Sequence, residues 1–276
     1  MKLSRAMTVA RNDLRQLWVS PDFWIPMVFM ATLFFVAIPT FLLLVISKVG
    51  NIEVVRQVSA TLDVLPDAAK TAIQARCSSP VSCTSYALAV YLFAPLAIVV
   101  PLTISSAVGA NAVVGEREKG SGEFLAHSPA TEQEIYVGKL VASLLPGYLT
   151  TLVGFMIYAF IVNMIVGPQV GGWFFPTGEW WVLMFWIVPP FIALALSMVL
   201  RMSARVKSAA AAQQSSGLIT LPLILLSYGQ STGALFGAKG AGFAVGAIAW
   251  LGAILGLMRS KHAVARERLL GVDTEP

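Results

Sequence analysis

The residues with the clearest chemical potential lie in one polar stretch, GANAVVGEREKGSGEFLAHSPATEQEIYVGKL, residues 109–140. It opens with a mixed-charge run, Glu116-Arg117-Glu118-Lys119, continues through Gly120 and Gly122 to Glu123-Phe124-Leu125, and stops at Pro129. Glycines before it and a proline after it set off a short helix, and the Phe-Leu pair gives that helix an apolar knob beside charge. Such a knob suits insertion into a cleft on another protein. The same composition also describes an ordinary solvated loop, and the residues alone weigh the two equally. Either way the chemistry is recognition and not bond-making. The two histidines, His127 and His262, fall in polar segments, no nucleophile–base pair can be assembled, and no group of residues has metal-ligand spacing. A phosphate-binding loop requires Gly-x-x-x-x-Gly-Lys-[Ser/Thr]. Here Gly138-Lys139 is followed by Leu140, and Gln133 stands where the first glycine belongs. No catalytic residue, metal, cofactor or nucleotide site is expected in the chain, so any energised work must draw on another protein.

What must position this stretch is a set of membrane helices. Of 276 residues, 57% are apolar and 12% charged, with a mean hydropathy of +0.76; a soluble domain runs about 45–50% apolar and about 25% charged. That excludes a soluble enzyme, a disordered chain and a disulfide-framework protein. A span needs about 20 apolar residues, and six stretches qualify, near 23–46, 86–108, 140–166, 180–200, 217–236 and 242–258. The last two are separated only by Tyr228, Gln230 and the Gly237–Gly242 stretch, which leaves their boundaries soft. The expectation is an all-α polytopic membrane protein, residues 1–276 forming one transmembrane domain. The first span is too long for a signal-peptide core and no small-residue cleavage site follows it, so it is read as retained.

Lysine and arginine set the orientation. With both termini inside, the inner segments hold Lys2, Arg5, Arg11, Arg15, Arg117, Lys119, Lys139, Arg201, Arg205, Lys207, Arg259, Lys261, Arg266 and Arg268. The outer segments keep only Lys48, Arg56, Lys70, Arg76 and Lys239. The net charge of +5 therefore reports topology, and nucleic acid is not an expected partner. Residues 47–85 become an extracytoplasmic loop and 109–139 a cytoplasmic one. Both cysteines, Cys77 and Cys83, sit in the outer loop, where an oxidising compartment permits a disulfide; a loop this small would gain roughly 2 kcal/mol. Two free thiols are the other reading.

Local signals mark the helix starts. Ser20-Pro21 reads as an N-cap followed by proline at the first helical position. Thr131-Glu132-Gln133-Glu134 reads as a capping box, so the third spanning helix begins inside the cytoplasmic loop. Upstream, Leu3, Met7, Ala10, Leu14, Leu17 and Trp18 share one face of a helix whose other face carries Arg5, Thr8, Asn12 and Arg15. Within 1–22 this suits a helix lying in the interface against membrane lipid, either as a plain anchor or as a lever that feels motion of a cytoplasmic partner. No Asp, Glu, Lys, Arg or His occurs inside a span, which argues against a proton-coupled carrier. Polar but uncharged residues do occur at depth, and Thr40, Ser105, Ser106, Asn163 and Tyr228 are the candidate lining of a path for an amphipathic substrate.

The run Glu-Arg-Glu-Lys-Gly-Ser-Gly-Glu-Phe-Leu, then Ser-Pro-Ala-Thr and Glu-Ile-Tyr-Val-Gly-Lys, resembles the hallmark of type-2 ABC transporter permeases of the exporter branch. The six spans, the N-terminal interfacial helix and the basic C-terminal tail are similar to that family's plan over the whole chain. The resemblance implies a coupling helix that docks on a separate ATP-binding subunit. Its docking set here would be Glu116, Arg117, Glu118, Gly120, Gly122, Glu123, Phe124 and Leu125. It further implies two ATPase copies holding ATP and Mg, a second six-span permease as homodimer or heterodimer partner, and a multi-pass place in the plasma or inner membrane. The last two spans leave little room for the re-entrant segment many relatives have, and the 47–85 loop is the candidate replacement. Two rivals stand beside this reading: a carrier or channel without an ATPase, and an assembly or sensor subunit that binds an ATPase without moving a substrate.

Overall fold

The computed structural model describes residues 2–49, 67–118, 120, 122–206, 208, 210–212, 214–218, 220–221 and 241–259. Most of these are helical and none lies in a strand. The elements are α1 (Leu3–Val19), α2 (Pro21–Lys48), α3 (Asp67–Gln74), α4 (Pro80–Ala87), α5 (Leu96–Glu118), α6 (Gly122–Ala126), α7 (Glu132–Ile165), α8 (Gly167–Val170), α9 (Gly178–Ser203) and α10 (Ala241–Arg259).

Four helical stretches are long and apolar enough to cross a bilayer: Pro21–Lys48, Pro80–Glu116, Glu132–Ile165 and Gly178–Ser203. They coincide with the first four expected spans. A shorter apolar helix, Gly242–Met258, falls where the sixth was expected. The fifth, near 217–236, lies largely outside the described residues, and so does Tyr228. At 1.5 Å per residue, the 34 residues of α7 extend about 51 Å, well beyond the roughly 30 Å hydrocarbon layer. Its first turns therefore project past the apolar core, as its capping box predicted. Thr131 Oγ1 accepts from the Glu134 amide at 3.3 Å, and Glu134 Oε2 accepts from the Thr131 amide at 3.0 Å. The other expected cap differs in detail: Ser20 has extended backbone ahead of Pro21, yet its side chain makes no capping bond.

The bundle centres on α5, which packs against α7 on one side and α9 on the other. Gly147 lets α5 and α7 approach closely, since a Cβ there would sit 2.7 Å from the Pro101 carbonyl oxygen. On the other side, Ser203 Oγ donates to the Ala110 carbonyl at 2.7 Å and accepts from the Val114 amide at 3.3 Å.

Above α5 the second span is broken. The Phe93 amide bonds back to Leu88, the Ala94 amide to Tyr91, and Pro95 has no N–H, so the carbonyls of Ala89 and Val90 lose their helical donors. A buried carbonyl without a donor costs free energy, and neighbouring helices supply the missing bonds. Tyr158 of α7 donates its hydroxyl to Ala89 at 2.6 Å, and the Trp180 indole of α9 donates to Val90 at 2.9 Å. Around them Phe155, Tyr158, Phe175 and Trp180 pack ring on ring at 5.0–6.0 Å. At this end Cys77 and Cys83 are disulfide-bonded, with Cα atoms 5.1 Å apart. The bond leads into a second capping box, Ser79 with Ser82, that starts α4.

Candidate functional site

The opposite end carries the polar stretch 109–140. α5 ends at Glu118, and Gly120 turns the chain with φ +70°, a left-handed conformation that glycine adopts without steric cost. α6 follows as the isolated turn Gly122–Ala126, its end held by His127, whose amide bonds to the Glu123 carbonyl at 3.1 Å. The most exposed large apolar side chain here is Phe124, at 85%. Glu118, Gly120 and Glu123 are exposed beside it, Arg117 lies in the last turn of α5, and Gly122 opens α6. Leu125 turns the other way and packs half-buried on the core.

Glu116 is the clearest departure from the expected docking set. It faces inward, and its Oε1 accepts from Lys139 Nζ at 2.6 Å. Lys139 is fully buried, and its remaining donors go to the Ala112 carbonyl at 2.6 Å and to Asp13 Oδ2 at 3.4 Å. The reason is elementary: an ammonium taken from water must satisfy three N–H donors and one charge, and Glu116 is the nearest anion. Burial raises the Asp13 pKa from the ordinary aspartate value; Lys139 pulls it partly back and Glu116 adds to the rise.

The loop rests on α1. Small residues face inward, Ala6 and Ala10 being buried, and a Cβ at Gly138 would sit 2.7 Å from the Ala6 carbonyl oxygen. Leu3, Met7 and Trp18 stay outward and exposed, which fits an interfacial helix whose bulky residues meet lipid. Beyond this packing, the Lys2 amide donates to Glu134 Oε1 at 2.5 Å and Arg5 Nη1 to the Pro129 carbonyl at 2.7 Å. Between α1 and the loop lies a cavity of about 370 Å³ whose walls include Thr8, Asn12, Asp13, Phe124, Leu125 and Pro129.

Of the expected path-lining residues, Thr40, Ser105, Ser106 and Asn163 lie among the described residues. Ser105 Oγ donates to the Leu144 carbonyl at 3.4 Å, while Thr40 and Ser106 have buried hydroxyls with no partner among the described residues. Asn163 lies 19 residues beyond Leu144, about 28 Å along the helix. Its side chain is a clasp and not a lining: Oδ1 accepts from the Phe174 and Phe175 amides, and Nδ2 donates to the Phe175 and Ala159 carbonyls. All its polar capacity is used in holding the loop after α8.

Sequence reasoning missed Asp13, Glu116 and Lys139 as a group. One signal was available: Asp13 is a lone acid on the stripe Ala6, Val9, Ala10, Asp13, Leu17, which otherwise reads as a buried face.

No curated protein sequence matches the chain. A family described as ABC-2 family transporter protein matches across residues 7–229, a stretch that includes Asp13, the whole of α5 to α9 and Lys139. The chain therefore belongs to the ABC-2 family of transporter proteins, as a membrane permease of the ABC type.

Proposed function

We propose that this chain is the transmembrane subunit of an ATP-driven exporter, with N- and C-termini in the cytoplasm and six spans. Two copies of a separate ATP-binding subunit hold ATP and Mg; this chain has no nucleotide site of its own and contributes no catalytic residue. A second six-span permease completes the path, and the substrate is amphipathic. The observation that carries the reading is α6, a five-residue helix presenting Phe124 to solvent directly after the exposed Glu123. A phenylalanine 85% exposed beside two exposed acids is what a docking knob requires before its partner arrives. The family match implies the partner, since ABC permeases work with an ATP-binding subunit.

The test is purification of the chain from its native membranes, with every co-purifying protein identified. A stoichiometric P-loop protein, lost when Glu118→Lys and Glu123→Lys are combined, is the expected result. Both side chains are exposed, so the double variant should insert and purify in normal yield. Recovery of the chain alone, in conditions that preserve other membrane complexes, would favour a channel or carrier. An ATPase whose rate ignores every substrate would favour a non-transporting assembly.

A further inference from the structure

The group around Lys139 is a costly way to hold three helices together. Lys139 Nζ reaches Glu116 Oε1 at 2.6 Å and the Ala112 carbonyl at 2.6 Å, both on α5, and Asp13 Oδ2 at 3.4 Å on α1, from its own place on α7. The lysine side chain is fully buried, and the two carboxylates are only 15% and 16% exposed. Apolar side chains of similar volume would fill such a site at no loss of stability, and commonly with a gain. What ions supply and apolar residues do not is fixed distance and direction.

That geometry has consequences for α6. The loop is continuous with α5 only two residues after Glu116, so a displacement of α6 arrives first at the turn bearing Glu116. Lys139 then links that turn to α7 and to α1. α1 is gripped at two places, by the Lys2 and Arg5 bonds at its start and by Asp13 further along. The eight residues from Arg5 to Asp13 separate these grips by about 12 Å along the helix. A rod held at two points turns with its support, whereas one held at a single end pivots on it.

We propose that Lys139 is a positioning residue that makes α1, the end of α5 and the start of α7 one rigid body, so that a push on α6 moves the interfacial helix as well. The inference rests on the reading of α6 as the ATPase contact.

The test uses the chain with its co-purified ATPase in lipid nanodiscs, followed by amide hydrogen exchange with and without a non-hydrolysable ATP analogue. In the wild type, exchange in α6 and in α1 should change together. Lys139→Met alone strands two buried carboxylates, and a lower melting temperature is expected. The triple variant Asp13→Asn, Glu116→Gln, Lys139→Met removes the charges together and should melt close to the wild type. In it, the α6 response should persist while the α1 response falls at least about fivefold. An α1 response of full size in the triple variant overturns the proposal and leaves Lys139 a structural lysine. Should the triple variant fail to fold, Asp13→Leu decides in its place. It leaves the Lys139–Glu116 pair neutral and cuts only the α1 spoke, and again a full α1 response overturns the proposal. Absence of any P-loop protein from the preparation would sink the ATPase reading and this inference with it. A bound ATPase with a normal α1 response in the variant would sink this inference alone.

Discussion

Phe124→Ala separates docking from folding at a single side chain. In the free chain Phe124 is 85% exposed, so its removal should alter the stability of the bundle by no more than about 0.5 kcal/mol, the usual range for surface positions. Nearly all of its apolar surface is still available for burial against a partner. Fully burying a phenylalanine contributes about 1.5–3 kcal/mol, and each 1.4 kcal/mol is about tenfold in affinity. The expected outcome is an unchanged melting temperature with a Kd for the ATP-binding subunit raised roughly 10- to 100-fold per site. Leu125→Ala is the internal control. Leu125 packs half-buried beneath the loop, so that variant should lower the melting temperature first and affect binding through the loop's position. The assay is titration of the purified ATPase against the chain in nanodiscs, beside a thermal melt of each variant. A Phe124→Ala Kd within about twofold of wild type, with the melt unchanged, would refute the docking role of α6.

Gly138→Val should lift α1 from α7, because the new Cβ would sit 2.7 Å from the Ala6 carbonyl oxygen, a backbone atom that cannot swing aside; limited trypsin digestion should then cut at Arg5 and Arg11 faster than in the wild type while α7 stays protected. Tyr158→Phe strands the Ala89 carbonyl, costing about 1–3 kcal/mol for a buried unsatisfied group, read as a lowered melting temperature in detergent. For pH, burial raises the Asp13 pKa above its unfolded value, so the folded chain holds that proton more tightly. The resulting stabilisation is complete below the ordinary aspartate value of about 4 and is lost as pH rises through the elevated folded value. Melting temperature against pH should fall across that window in the wild type relative to Asp13→Asn, and parallel curves would contradict the assignment.

The parts of this molecule written locally were legible in its sequence. Thr131 and Glu134 are three residues apart, and their capping box formed where the pattern placed it. The first four spans followed from apolar length alone. The Phe124 knob followed from glycines and a proline around an apolar pair. What escaped was pairing at long range. Asp13 and Lys139 stand 126 residues apart, and no periodicity connects them. Asn163 was read by residue type, as a polar group at depth, but its role is set by a loop that folds back over it. Nor does anything local to Pro95 reveal that Tyr158 and Trp180, from other helices, supply the donors missing at that break. Glu116 was placed in the docking set with its neighbours by the family resemblance, and a buried cation holds it inward instead.

Lys139 explains why apolar length could place the first four candidate spans while the joint stayed hidden. It was counted among the inner-loop cations because it directly precedes the apolar run from Leu140, and a lysine at a helix entrance is ordinarily solvated. Three acceptors change that outcome: Glu116, the Ala112 carbonyl and Asp13 converge on Nζ. Together they replace the water that a buried ammonium loses. Two of them come from α5 and one from α1, and the expected third span begins one residue after Lys139. Deeper along α7, Tyr158 and Asn163 use neutral hydrogen bonds to backbone groups. Among the described residues, the buried ionic contacts therefore lie at the end where α6 lies, while the surface Lys70–Asp67 pair is the ionic contact near Cys77 and Cys83. On the proposed reading of α6 as the ATPase contact, a force arriving there would meet directional, charged contacts before the apolar bundle.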